Sequence, residues 1–378
     1  MKTKYLFLAA FTVSGFLFLA HFAYVGKVVY GDGRYYYSYL SAFLVQHTLN
    51  LSQSFLHTDI PTWFFTPLGL PANIYPIGPA LFWVLPYLLA YGVGTLFGLG
   101  PYSVWYQIPV GLFVIFLSTI GLFLLYRLQT PFFTKKNILL SNLAIFFATN
   151  LLFYGSLDVL NSHALTFFLS SLLLFVWLKK PNLEWAILEG IIIGLLMLIR
   201  PQEAIFLILP FTTLLLERKA YMIFTPLIAA VVFSPQILLW KIEWGSFFIN
   251  PYLHVATFHF LNPQFWGVLF NPDTGLFLWT PITILALIGL ILFSKKQPKI
   301  GLPMLLIFLS EFYIISSWSI WWEGASYSAR MFVSSLPFFG IGLTYLFEQR
   351  LFTKLKYFLV PFFSALNVVL IIYFLLTK

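Results

Sequence analysis

The chain has 378 residues, of which 60% are hydrophobic, 21% aromatic and only 9% charged. A soluble domain carries about 25% charged residues, so the solvent for most of this chain is lipid and a soluble core is excluded. The net charge of +9 does not point to nucleic acid. Fifteen of the 21 Lys and Arg fall in short clusters between apolar runs: Lys2/Lys4, Arg127/Lys135/Lys136, Lys179/Lys180, Arg218/Lys219, Lys295/Lys296/Lys299 and Arg350/Lys354/Lys356. That distribution marks cytoplasmic connections. The absence of cysteine rules out disulfides and thiolate metal sites.

A helical crossing of the hydrocarbon layer takes about 20 apolar residues. The apolar runs predict an all-α, polytopic membrane protein with about eleven transmembrane helices. They fall at 5–25, 107–126, 138–154, 163–178, 185–200, 203–216, 220–240, 275–294, 300–318, 331–347 and 357–377. The first run is too long for a signal peptide core, and no small-x-small cleavage site follows Tyr24, so it reads as a retained helix. Residues 76–99 are also apolar enough to cross. A single crossing there would put every later basic cluster outside. The segment is therefore expected to be re-entrant or interfacial, a helix broken by Pro76, Pro79, Pro86 and glycines 92, 94 and 98. No repeat and no low-complexity linker divides the chain, so residues 1–378 read as one membrane domain. Connections 26–106 and 241–274 would roof a site on the outer face.

The strongest chemical signal is Gly31-Asp32-Gly33-Arg34-Tyr35-Tyr36-Tyr37, directly after the first helix. The chain has only twelve acidic residues. One of them stands between glycines that let a backbone approach a ligand closely, at the membrane edge, where a carboxylate can act as general base on a hydroxyl. Arg34, Tyr35 and Tyr36 are then substrate-binding candidates. The plainer reading makes Asp32 a helix cap or an ion partner of Arg34. Asp59, with His47 and His57 nearby, reads as solvated surface, because the spacing matches no standard metal-ligand pattern.

Further along, Asp158, Asn161 and His163 lie where one helix reaches the outer face and the next begins. Asp158 either caps a helix or joins His163 in orienting a hydroxyl. Arg200 and Glu203 interrupt two apolar runs in Leu-Ile-Arg-Pro-Gln-Glu. A guanidinium suits phosphate by its planar fork of donors; snorkelling with Glu203 as partner is the alternative. The aromatic connection 241–274 reads as an interfacial or groove-lining loop. The last signal is Trp-Ser-Ile-Trp-Trp-Glu-Gly-Ala-Ser-Tyr-Ser-Ala-Arg, ending at Arg330. In it Trp321 and Trp322 can stack on sugar faces, Glu323 adds an acid, and Arg330 at a helix start suits an anion. There is no P-loop and no dinucleotide-binding glycine pattern. An ATP-driven transporter and a cytoplasmic nucleotide-sugar enzyme are both disfavoured.

Four patches together resemble the multi-spanning glycosyltransferases of the GT-C class, in particular relatives of protein O-mannosyltransferases and aminoarabinose transferases. They are Gly31-Asp32-Gly33-Arg34-Tyr35-Tyr36, Tyr75-Pro76-Ile77-Gly78-Pro79, Leu269-Phe270-Asn271-Pro272-Asp273-Thr274-Gly275-Leu276, and Trp321-Trp322-Glu323-Gly324 with Ala329-Arg330. The resemblance implies an outward-facing site under the first loop, in a multi-pass cell-membrane protein. It implies a polyprenyl-phosphate-linked sugar as donor, a hydroxyl acceptor on lipid, glycan or protein, and inversion at the sugar. The acid of the first-loop motif maps onto Asp32. Many relatives carry a second acid where this chain reads Asn161-Ser162-His163-Ala164, so His163 replaces it or Asp158 does its work. The chain is short for the class, with no C-terminal soluble domain as a separate acceptor-binding module. No cofactor is expected; a divalent cation is possible but not favoured, because no clear second acid stands beside Asp32. The competing reading is a transporter, flippase or non-catalytic binder of a lipid-linked saccharide. It predicts charges deep in the bundle, for which Glu189 and Glu311 are the candidates.

Overall fold

A computed structural model describes residues 3–61 and 64–377. Lys2 lies outside the described residues, and the side chain of Lys4 is likewise not described. Among the described residues the chain is helical with no β-strand. It begins with α1 (Thr3–Val25), the short α2 (Gly33–Ser41) and α3 (Ser52–His57), then α4 (Gly78–Leu96). Next come α5 (Gln107–Gln129), α6 (Lys135–Phe147), α7 (Leu151–Tyr154), α8 (His163–Trp177) and α9 (Leu183–Ile199). A 3₁₀ turn, Pro201–Leu207, leads into α10 (Ile208–Glu217), followed by α11 (Phe224–Trp244), α12 (Phe265–Phe270), α13 (Leu276–Trp279), α14 (Ile282–Lys296) and α15 (Pro298–Ser317). A second 3₁₀ turn, Arg330–Ser335, runs into α16 (Leu336–Glu348), and α17 (Phe352–Thr377) closes the chain. Each apolar run found in the sequence is largely helical, but 138–154 is interrupted at 148–150 and 275–294 at 280–281. Among the described residues seven helical segments, α4 included, are long and apolar enough to cross a membrane. The chain is a polytopic membrane protein.

The helices pack closely where glycine removes a side chain. A Cβ on Gly289 of α14 would lie 2.0 Å from the Gly342 carbonyl oxygen, and one on Gly342 of α16 would lie 2.2 Å from that of Ala286. Gly190 and Gly194 let α9 approach α11 in the same way. Lipid gives no hydrophobic drive for helix association, so such close backbone contact is how membrane helices adhere.

The bundle has two distinct ends. At the first, Lys356 donates to Asn137 (2.6 Å), and Glu348 accepts from the amide and hydroxyl of Thr134 (2.8 Å each). These bonds tie the α5/α6 turn to the α16/α17 turn. The connections bearing Lys179/Lys180, Arg218/Lys219 and Lys295/Lys296/Lys299 also lie at helix ends remote from Asp32, so this is the basic end. The other end gathers the end of α1 and the starts of α5, α8 and the 330–335 turn. The ends of α9, α11 and α15 join them there.

Helix α4 differs from expectation in one respect. It is one continuous helix, not a broken one, with Pro86 accommodated inside it. Both of its ends nevertheless stand at the same end of the bundle. A Cβ at Gly78 would meet the Leu198 carbonyl at 2.2 Å, at the close of α9, and one at Gly94 would meet the Tyr106 ring at 2.3 Å, at the start of α5. Trp105, beside Tyr106, packs edge-on against Phe22 near the end of α1 (6.1 Å). Between these points the aromatic rings of α4 pack along α2, Trp83 on Tyr36 (6.3 Å) and Tyr87 on Tyr37 (6.2 Å).

Candidate active site

Two glycines with different tasks carry Asp32. Gly31 adopts a left-handed φ of +54°, which turns the chain out of the 26–32 segment. Gly33 opens α2 against the 155–162 connection, so close that a Cβ would sit 2.2 Å from the Leu160 carbonyl oxygen. Asp32 occupies the N-cap position of α2, yet its side chain makes no capping bond. The Tyr75 hydroxyl donates to Oδ1 (2.8 Å) and Arg330 Nη2 lies 2.8 Å from Oδ2. Both partners are donors, which suits a carboxylate that only accepts. The Asp32 side chain keeps 21% of its exposure. Neither plain role foreseen for it, cap or partner of Arg34, is present.

Arg34 turns away instead. Its Nη1 donates to the Asp59 carbonyl (2.6 Å) and its Nε to the Gly31 carbonyl (3.3 Å), clasping the first connection. Asp59 pairs with Lys27 at the surface (2.7 Å). Tyr35 and Tyr36 flank Tyr75 at ring distances of 4.9 and 5.3 Å. Tyr36 is buried. Tyr75 is held in turn, because Ile77 just after it donates its amide to Gln236 of α11 (2.8 Å).

Arg330 is fastened from several sides. Its Nη2 also donates to the Glu323 carbonyl (3.3 Å), and its Nε lies 3.7 Å from Glu323 Oε2. Glu323 has a left-handed φ of +58°, uncommon for a residue with a Cβ. That backbone aims its carboxylate at the next turn, where Oε2 accepts from the Met331 amide (3.1 Å). Arg200 holds the same residue from the other side, donating from Nη1 to the Met331 carbonyl (3.1 Å) and touching the Met331 sulfur. Arg200 is only 4% exposed. Gln202, with its amide oxygen turned to the guanidinium, accepts from Nη2 (2.8 Å) and Nε (3.0 Å). Glu203 lies 3.5 Å from Nη1. Arg330 therefore meets Asp32 at the mouth, and Arg200 stands behind it.

Asp158 is half-buried beside this pair and accepts from Asn161 (3.0 Å). Burial pushes its carboxyl up to about 7, with the Asn161 bond and Arg330 offsetting part of the rise and Asp32 adding to it. His163 opens α8, buried against Tyr154 (4.6 Å between rings). Burial likewise lifts Glu323 to about 7 against the pull of Arg330 and Arg200. Trp321 covers Gly267 of α12, where a Cβ would lie 2.5 Å from the indole, and Trp322 beside it is exposed. Among the described residues no group of three or more His, Asp or Glu is placed to hold a metal ion.

Sequence reasoning missed three members of this end of the bundle. Tyr75 stood in a quoted motif without a role. Tyr252, half-buried, packs on Tyr75 (5.9 Å) and on Trp318 (6.3 Å); its only signal was the aromatic richness of 241–274. Glu311 accepts from Ser334 (2.7 Å) and Ser335 (2.6 Å) behind the 330–335 turn. An acid inside an apolar run marked it, without saying what it touched.

Compared with solved structures, the chain resembles ArnT, an aminoarabinose transferase from Cupriavidus metallidurans in the apo state, with a TM-score of 0.52 and 15% identity. The match covers 90% of this chain and 58% of ArnT. The chain has a GT-C-like fold. It also resembles archaeal oligosaccharyltransferase AglB from Archaeoglobus fulgidus, solved with an inhibitory peptide and a dolichol-phosphate. There the TM-score is 0.49 at 14% identity, over 98% of this chain and 55% of AglB. No protein-family model and no curated protein sequence matches. Within the GT-C-like fold, all of the groups described above lie at the end of the bundle away from the basic turns.

Proposed function

We propose that the chain is an inverting glycosyltransferase of the membrane. It would move a sugar from a polyprenyl-phosphate donor to a hydroxyl acceptor on the outer face. The observation that carries this reading is the Asp32–Arg330 pair: a partly exposed carboxylate and a guanidinium 2.8 Å apart, at the bundle end opposite the basic turns. Basic turns face the cytoplasm, which supports an extracytoplasmic site. The GT-C-like fold supports the reaction class.

The pair divides the chemistry. The donor's phosphate competes with Asp32 for Arg330, because a guanidinium binds phosphate as well as carboxylate. Once Arg330 swings to the phosphate, Asp32 Oδ2 is free while Tyr75 still holds Oδ1. An acceptor hydroxyl gives its proton to Oδ2. Its oxygen forms a bond to the anomeric carbon on the face opposite the phosphate, and the bond from that carbon to the phosphate oxygen breaks. The electron pair leaves with the lipid phosphate, whose charge needs a cation and no acid, by analogy with inverting sugar chemistry. Tyr35 and Trp322 are the aromatic faces offered to the sugar, whereas the buried Tyr36 backs Tyr75.

A carrier for the same lipid-linked sugar is less well supported. Of the buried acids, Glu203, Glu311 and Glu323 gather around the arginines at one end, while Glu189 is buried apart from them on α9. The test uses purified protein in liposomes with a polyprenyl-phosphate sugar labelled in both halves. Transfer releases free polyprenyl phosphate only when an acceptor alcohol is present. Labelled sugar that stays on its lipid throughout would leave the carrier.

A further inference from the structure

Behind Arg330 the buried charges do not balance. Arg200, Glu203, Glu311 and Glu323 are 4%, 0%, 2% and 3% exposed. Arg330 is already committed to Asp32 at the mouth and to Glu323 beside it, so two carboxylates, Glu203 and Glu311, are left to the one guanidinium of Arg200. The hydrogen bonds are unequal too. Glu311 receives a serine hydroxyl on each oxygen. Glu203, fully buried, has no hydrogen-bond partner on either oxygen, and its nearest cation is 3.5 Å away at Arg200 Nη1. A bare buried carboxylate with so weak a partner is costly, and a proton removes the cost. Arg200 stands between the two acids, 3.5 Å from Glu203 and drawing on Glu311, whose own hydrogen bonds come from Ser334 and Ser335.

We propose that Glu203 and Glu311 share one proton, and that docking of the donor's phosphate at Arg330 is coupled to protonation of this pair. The inference rests on the lipid-phosphate reading above. A phosphate at Arg330 adds negative charge beside Glu323, which borders Arg200 and Glu311, and a nearby like charge favours the neutral form of an acid. The charged groups facing the pair are Arg200 and, beside Glu311, Glu323, with Arg330 beyond Glu323. Of the other titratable residues on helices packed against the pair, His163 opens α8 at the site end beside Arg200 and Arg330, and Tyr313 follows Glu311 on α15; Glu184 and Glu189 on α9, Glu217 on α10, Lys295 and Lys296 on α14, Lys299 on α15 and Glu348 on α16 stand toward the basic end. Glu203 and Glu311 act as positioning residues, through Arg200 and the 330–335 turn.

The test is binding of farnesyl methyl phosphate, a sugar-free phosphodiester that keeps one negative charge across the range, to the full protein in detergent from about pH 6 to about pH 9. If one proton is taken up, the wild-type dissociation constant rises about tenfold per pH unit at the alkaline end. Calorimetry in two buffers of different ionisation enthalpy then reads that proton directly. Glu311→Gln and Glu203→Gln each leave one acid against Arg200, so both flatten the profile. Ser335→Ala, a milder change, removes a donor to the carboxylate and moves the profile to higher pH. Zero proton uptake in the wild type, or an unchanged profile in all three variants, overturns the inference while leaving the lipid-phosphate reading intact. Absence of binding at every pH overturns that reading itself.

Discussion

Tyr75 is the residue whose removal separates placement of the base from the base itself. Its hydroxyl donates to Asp32 Oδ1 at 2.8 Å, and a hydrogen bond to a charged group contributes about 1.5–3 kcal/mol. Tyr75→Phe should lower turnover about tenfold or more with the fold intact, read as kcat against an unchanged melting temperature. Glu323 gives a pH prediction. Its unfolded carboxyl loses its proton near the ordinary value of 4.5, whereas burial holds the folded one to about 7. Between those values the folded state binds more protons than the unfolded state, so stability falls as pH rises through the window. The melting temperature in detergent should drop from about pH 5 to about pH 8, and Glu323→Gln should flatten part of that drop. Asp32 was legible in the sequence because an acid between glycines at a helix mouth has little packing purpose. Its partner was not. Arg330 stands 298 positions away, and no local pattern distinguishes it from Arg34, the neighbour that turns instead to Asp59.

At the scale of elements, close approaches of glycine position the site. Gly33→Ala would place a methyl 2.2 Å from the Leu160 carbonyl, so α2 must shift and Asp32 with it. Activity should fall further than stability. Gly342→Ala, remote from Asp32, would place its methyl 2.2 Å from the Ala286 carbonyl and also crowd Leu290. Overpacking of that kind costs about 1–3 kcal/mol, so melting temperature should fall, with kcat per folded molecule kept. The apolar runs gave the helices well, since roughly 20 apolar residues in lipid admit little else. Their interruptions were harder to read. In 76–99 the prolines and glycines were read as breaks, yet Pro79 sits in the first turn, where no amide hydrogen bond is needed. Gly78 and Gly94 serve contact with α9 and with Tyr106. The 331–347 run likewise begins as a 3₁₀ turn, because Glu323, Arg200 and Glu311 fix its backbone and serines from outside the local sequence.

For the whole molecule, the separation of basic turns from the acidic site predicts orientation. The chain contains no cysteine, so single substitutions report one place each. Gln53→Cys, exposed on α3, should react with a membrane-impermeant maleimide in intact cells. Lys180→Cys, exposed in a basic turn, should react only after lysis. The reverse pattern would put the site in the cytosol. The central claim is that the Asp32 carboxylate takes the proton of the acceptor hydroxyl, and a base of this kind is worth about 10²–10⁴-fold in rate. The most direct measurement is single-turnover release of polyprenyl phosphate by purified wild-type protein and by Asp32→Asn, at saturating donor and acceptor. The account predicts a loss of about a hundredfold or more, with donor binding and melting temperature close to wild type. Release by Asp32→Asn at the wild-type rate would contradict it.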